Sequence, residues 1–150
     1  MVELHRGDGC VLSDDPSRVD LDVVHGFLTA AYWSPGVSRD TVARAVAGSV
    51  VVGAYQPPTG RQVGFARAVT DRATFAWLAD VFVLPGHRGQ GLARAMVTAL
   101  LEHPDLRGLR RWMLATADAH RLYTGLGFAP PDHPERLMER RQPGASRGAA

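Results

Sequence analysis

The chain has 150 residues, of which 45% are hydrophobic and 21% charged, and a formal net charge of +2. That is the usual size and balance of one globular domain with one substantial core, and no apolar run approaches the about 18 to 20 residues of a membrane span. The charge is too small to argue for nucleic acid, and the single cysteine, Cys10, excludes an intrachain disulfide and a cysteine-based zinc site. The six histidines never fall at metal-ligand spacings, so no metal is expected. All 17 basic residues are arginine. Without lysine there is no Walker A loop and no Schiff-base chemistry. The opening MVELHRGDGC has no apolar h-region, so no secretory signal is expected and the default location is the cytoplasm.

Taken in chain order, residues 9 to 13 read as a short first strand. From Asp14 an entry turn leads into a helix with Leu21, Val24 and Leu28 on one face. Ser34-Pro35-Gly36 breaks it, and a second short helix follows from an N-cap at Ser38 to Gly48. The period then changes. Residues 49 to 55 and 61 to 70 read as a hairpin around the QPPTG turn, and a third strand runs from about Thr74 to Val83. Residues 89 to 102 read as a helix with Leu92, Met96, Ala99 and Leu100 on one face. Leu109 to Ala115 reads as a strand, and Asp118 to Leu126 as a helix ended by Gly127. Residues 1 to 141 are expected to form one mixed α/β domain, and 142 to 150 a disordered tail.

The segment 78 to 97, LADVFVLPGHRGQGLARAMV, carries the chemistry. A buried strand ends at Pro85, a glycine-rich turn follows, and a helix begins at once. Unpaired N–H groups and the helix dipole make such a turn an anion site. Gly89 and Gly91 let the backbone approach a ligand closely, and Arg88 adds a planar charged donor. A dinucleotide loop is excluded, because Arg94 stands where a small residue is needed and no acid follows about twenty residues later. An ordinary tight turn remains the plain alternative.

Arg88-Gly89-Gln90-Gly91-Leu92-Ala93 resembles the (Q/R)xxGx(G/A) signature of the GNAT acetyltransferases. Val81-Phe82-Val83-Leu84-Pro85 resembles the strand ending that precedes it, and residues 116 to 128, TADAHRLYTGLGF, resemble the A-x-x-(L/F)-Y-x-x-x-G-F block. Thr116 departs from the asparagine common in that second block. The resemblance covers roughly residues 20 to 140. It implies a mixed, largely antiparallel central sheet flanked by helices, with a splayed parallel strand pair that binds acetyl-coenzyme A. It implies that the amides of residues 88 to 93 hold the pyrophosphate, and that the pantetheine arm lies along Val81, Phe82 and Val83 like an added strand. A backbone N–H near Val81 would polarise the thioester carbonyl.

The resemblance also implies that Tyr123 protonates the departing thiolate; otherwise it reads as an interfacial aromatic. Asp80 is costly in an apolar strand unless it is paired or faces a cleft. It either contacts or deprotonates the amine, or forms a salt bridge with an arginine such as Arg67. Strand alternation puts it on the face opposite Val81 unless a bulge intervenes. Tyr32 and Trp33 border the acceptor site in this family, but core packing explains them equally. Arg107, Arg110 and Arg111 either attract the coenzyme's 3′-phosphate or form a solvated face. The activity implied is N-acetyl transfer by direct attack in a ternary complex, with acetyl-coenzyme A as co-substrate. The alternative is a non-catalytic acyl-coenzyme A sensor. The expected partner is a small-molecule or peptide amine; neither nucleic acid nor membrane is expected, and a homodimer stays open.

Overall fold

The structure is a computed structural model that describes residues 1–144; the expected tail beyond Gly144 lies outside the described residues. Six strands form one sheet in the order β1 (Glu3–His5), β2 (Val11–Ser13), β3 (Val50–Gln56), β4 (Arg61–Thr70), β5 (Phe75–Val83) and β6 (Arg111–Met113). Neighbours are antiparallel except β5 and β6, which are parallel. The first strand expected at 9 to 13 is therefore the second half of a hairpin. Glu3–His5 is exposed at the sheet edge, and its three residues carry no alternation that sequence reading could detect.

The helices form where capping and periodicity agree. Asp20 accepts from the N–H groups of Asp22 and Val23 and starts α1 (Leu21–Ala30), which buries Val24 and Leu28. Ser38 accepts from the Thr41 N–H and starts α2 (Arg39–Ala47), which Gly48 ends. These two helices cover one face of the sheet through Val24, Leu28, Val42, Val46, Val51, Phe65 and Phe82. On the other face lies α3 (Leu92–Leu101), with Leu92, Met96, Val97, Ala99 and Leu100 buried. It starts three residues later than the sequence pattern suggests, because Gly89 and Gly91 take left-handed backbone and hold the chain out of the helix. A Cβ on Gly64 would come within 2.9 Å of Met96 Cε, so β4 and α3 approach closely only because that residue is glycine.

The last helix, α4 (His120–Thr124), ends two residues earlier than expected, since Gly125 already caps it. The Thr116 hydroxyl accepts from the Ala119 N–H at 3.0 Å and closes the turn that leads into α4. At the far end of α3, His103 Nε2 donates to Asp14 at 2.7 Å, and Asp14 also accepts from the Val2 N–H. This buried pair fastens the β1–β2 hairpin to the core. Among the described residues, no helix is long and apolar enough to cross a membrane.

One buried group is unsatisfied among the described residues: the Tyr55 hydroxyl on β3. A Cβ on Gly53 would collide with it, so the ring needs that glycine. Burial pushes the phenol up to about 12, against a smaller downward pull from Arg18, whose guanidinium lies 4.4 Å from the ring centre. Because burial disfavours the phenolate, stability is kept in full below the unfolded value of about 10 and is lost as pH rises from there through about 12. Tyr55→Phe is expected to match or exceed wild-type stability at neutral pH, by up to about 1 kcal/mol. It should also make the loss of stability between about pH 10 and 12 shallower. Thermal unfolding across that range checks both. A melting temperature several degrees lower at neutral pH would mean that the hydroxyl is bonded after all.

Candidate active site

Two features of β5 define the site. First, its pairing with β6 covers only Phe75, Ala76 and Trp77, which face Arg111, Trp112 and Met113. Beyond Trp77 the two strands part, so the β6-side edge of β5 from Leu78 to Val83 has no strand partner among the described residues. An open edge offers backbone N–H and C=O groups to an extended ligand.

Second, β5 carries one residue more than β4. Arg67 faces Ala79 and Phe65 faces Phe82, so Ala66 stands opposite both Asp80 and Val81. Asp80 absorbs the extra residue with φ +55°, a left-handed conformation that aspartate tolerates better than most side chains. Alternation breaks there. Ala79 and Asp80 both face α1 and α2, while Val81 turns to the α3 side and Phe82 back into the core under α1. Asp80 does lie opposite Val81, and the bulge also intervenes.

Asp80 is accordingly paired. Its Oδ2 accepts from Arg67 Nε at 2.6 Å and its Oδ1 from Trp33 Nε1 at 2.9 Å. The charged side chains are only 11% and 18% exposed. Both the salt bridge and the proximity to Trp33 exist together, and the two do not compete. Trp33 packs edge-on against Tyr32 and tilted against Phe27. Tyr32 is half exposed, and its hydroxyl accepts from the Ala117 N–H at 3.3 Å, in the turn before α4. Core packing accounts for Trp33 in part; it does not account for Tyr32.

The loop after β5 runs through a short 3-10 turn at Pro85–His87. From residue 88 to residue 94 no N–H group finds a backbone or side-chain acceptor among the described residues. Gly89 and Gly91 have φ +81° and +77°, and no atom lies within 4 Å of where their Cβ atoms would stand. The space before the loop is open. The loop is held from both sides: Arg88 Nε donates to the Val83 carbonyl at 2.9 Å, and Arg6 Nη2 donates to the Gln90 carbonyl at 2.6 Å. Arg88 thus spends its Nε on the strand, and its terminal nitrogens find no acceptor among the described residues. Leu92 buries its side chain in the core, so only its backbone serves the loop, and Ala93 is half buried beside it. Sequence reading missed Arg6, which lies more than eighty positions away with no motif around it.

Tyr123 is 8% exposed and stacks edge-on against Phe128 at 5.8 Å. Burial, with smaller contributions from Asp118 and Tyr32, pushes its phenol up to about 12. It is therefore fully protonated at neutral pH. Arg94 on α3 donates to the Gly125 carbonyl at 3.3 Å and ties α4 to the helix behind the loop. Among the described residues no group of three or more histidine, cysteine or carboxylate side chains could hold a metal.

The open edge, the unpaired amides and the open space before two left-handed glycines fit a long ligand with a diphosphate and amide groups, as coenzyme A has.

Comparison with known proteins bears on the family. The description "Acetyltransferase (GNAT) family" matches residues 22–128. A crystal structure of a "putative acetyltransferase belonging to the GNAT family" from Xanthomonas campestris pv. campestris is 46% identical with a TM-score of 0.86, covering 92% of this chain and 96% of that one. A "putative acetyltransferase" of Gibberella zeae is 32% identical over 139 residues, 79% of this chain and 77% of its own length. A "predicted acetyltransferase with acetyl-CoA" from Clostridium acetobutylicum shares the fold with a TM-score of 0.65 at 15% identity, over 88% of this chain and 94% of its own.

Gly91→Asn is expected to leave the fold intact, since asparagine tolerates left-handed backbone and meets no protein atom there. It should weaken acetyl-coenzyme A binding by about tenfold or more, because its side chain enters the space before the amides. Calorimetry on a protein shown folded by circular dichroism decides. Unchanged affinity would remove this loop from the site.

Proposed function

The chain belongs to the acetyltransferase (GNAT) family, and from that premise we propose that it transfers an acetyl group from acetyl-coenzyme A to a primary amine, by direct attack in a ternary complex. The observation that carries the reading is the run of unpaired N–H groups at residues 88 to 94 beside the open edge of β5. When bound, the coenzyme supplies an acetyl thioester: the amine nitrogen bonds to its carbonyl carbon, the C–S bond breaks, and the electron pair leaves with sulfur.

The chain's own residues divide the remaining work. The loop amides and the α3 dipole hold the pyrophosphate, and the Arg88 terminal nitrogens add charge. The edge at Val81, Phe82 and Val83 pairs with the arm, and an N–H near Val81 donates to the carbonyl oxygen as negative charge develops there. Asp80, oriented by Arg67 and Trp33, keeps lone pairs that accept from the incoming amine. Asp80 or a water takes the amine's proton. Cys10 takes no part: it is buried, and burial pushes its thiol up, away from the thiolate form a covalent acetyl-enzyme would need.

Magnitudes define the role of Tyr123. A phenol at about 12 is a weaker acid than the departing thiol, with an ordinary value of about 8.5. Complete proton transfer to sulfur is uphill, so the hydroxyl acts by donating a hydrogen bond while charge builds on sulfur. Such a bond to a charged atom is worth about 10- to 100-fold in rate.

Thiol release from acetyl-coenzyme A across a panel of amines tests the activity; coenzyme binding without release from any amine would leave only a sensor. With an accepted amine, Tyr123→Phe should lower kcat by about 10- to 100-fold while coenzyme affinity stays near wild type. The wild-type rate should show no tyrosine-linked decline up to about pH 10, since the phenol ionises only near about 12. A Tyr123→Phe enzyme with wild-type kcat in single-turnover kinetics would release this residue from catalysis.

A further inference from the structure

The face of the sheet under α1 and α2 holds a cavity of about 180 Å³ whose floor includes Arg67 and Asp80. Taking the acetyl-transfer reading as its basis, we infer that this cavity selects the acceptor, and that the acceptor is a free α-amino acid with an apolar side chain.

Size comes first. Sites for drug-sized molecules run to about 300 to 1,000 Å³. At about 180 Å³ the cavity suits a molecule of amino-acid size and is too small for an aminoglycoside-like antibiotic.

Polarity is more selective. The walls are Leu28, Val37, Val42, Val46, Phe65 and Trp77. Two neutral hydroxyls also reach the cavity: Ser34 Oγ donates to the Leu28 carbonyl, and Thr41 Oγ1 accepts from Ser38 and keeps its own proton. The Trp33 indole N–H is spent on Asp80. The charged groups offered to a ligand are one cation and one anion already in contact with each other. Arg67 donates through Nε to Asp80 and through Nη1 to Ser49 Oγ, and its Nη2 finds no acceptor among the described residues.

Charge matching then decides between acceptor classes. The lining is formally neutral, with Arg67 and Asp80 as its charged members. A polyamine would bring two or more cations to a single carboxylate. An amino sugar phosphate would bring a dianion to a single arginine whose strongest contact is already used. A simple alkylamine would leave the cavity one positive charge in excess. Burying an uncompensated charge is costly in each case. A zwitterion adds no net charge: its carboxylate accepts from the free Arg67 donors, its amine donates to Asp80, and its apolar side chain fills the space between α1 and α2. The amine loses one proton to Asp80 or water before attack and a second as the amide forms, while sulfur regains one from solvent. One proton is released per turnover.

The position agrees with the chemistry. Asp80 is adjacent in sequence to Val81, where β5 is open, so the only anion on the cavity floor sits next to the strand edge that receives the thioester arm.

The test compares leucine, leucinamide and isoamylamine as acceptors for the full chain, following thiol release from acetyl-coenzyme A. Spermidine, an amino sugar phosphate and a lysine-containing peptide complete the panel. Leucine should exceed both carboxylate-free analogues in kcat/KM by about 10- to 100-fold, a hydrogen-bonded charge being worth that much. Leucinamide has the less basic amine and more of it is unprotonated at neutral pH, so this preference runs against intrinsic reactivity. Arg67→Met should collapse the ratio toward one and Arg67→Lys should keep part of it. The ratio does not depend on how much of a variant is folded. Equal or better use of the analogues, faster use of spermidine, the sugar phosphate or the peptide, or an unchanged ratio in Arg67→Met overturns the inference and leaves acetyl transfer standing. Binding of acetyl-coenzyme A with no release to any amine overturns the activity itself.

Discussion

The extra residue in β5 determines where the charged group of the site stands. In an unbroken strand Asp80 would share the face of Ala76 and Leu78 and point into the apolar cluster under α3, where no donor awaits it. One residue of slack, taken up by a left-handed aspartate, turns the carboxylate to the opposite face and into contact with Arg67 and Trp33. The local strain is on the order of 1 to 3 kcal/mol. The ion pair does not repay it in stability, because largely buried pairs return little more than their desolvation removes. What the pair supplies is position: a carboxylate oriented by two donors, one residue from the strand edge that parts from β6.

The same strand separates two faces that are built differently. Behind the glycine loop, Met96 closes on Gly64, and Leu92, Val97 and Leu100 fill the space under α3. The loop is pinned at Val83 by Arg88 and at Gln90 by Arg6, so its amides are held in place before a ligand arrives. Preorganised amides need no reordering when charge binds, and this is where electrostatic binding gains most. On the other face, α1 and α2 cover the sheet with valines and a leucine and leave a cavity between them. The walls of that cavity are side chains and not backbone.

Much of this was legible in the residues. Ser38 and Gly48 mark α2 at both ends, because caps act locally. The loop and the α4 block are also local, and the apolar faces of α1 and α3 follow from helical spacing. What stayed hidden depended on pairing across the sheet. Nothing in LADVFV tells whether alternation holds or breaks at Asp80; the answer lies in the register with β4. Strand β1 stayed hidden because an exposed edge strand of three residues has no buried side to betray it. The C-terminal end of α4 was misplaced because Gly125 and Gly127 are both plausible stops, and the first of them acts. Arg6 was invisible since its partner is a backbone carbonyl, which leaves no mark on side-chain composition.

Tyr32 shows how the two halves are joined. Its ring meets Trp33 edge-on, and Trp33 donates to Asp80 on the cavity floor. Its hydroxyl accepts from the Ala117 N–H, in the turn that Thr116 closes before α4. Its field also contributes to the raised phenol of Tyr123. One exposed aromatic therefore touches the structure that orients the carboxylate and the structure that carries the tyrosine hydroxyl. A shift of the segment between α1 and α2, which borders the cavity, would be felt at the α4 turn through this contact. The Asp80 carboxylate and the turn that leads to Tyr123 are thus linked through a side chain that belongs to neither core.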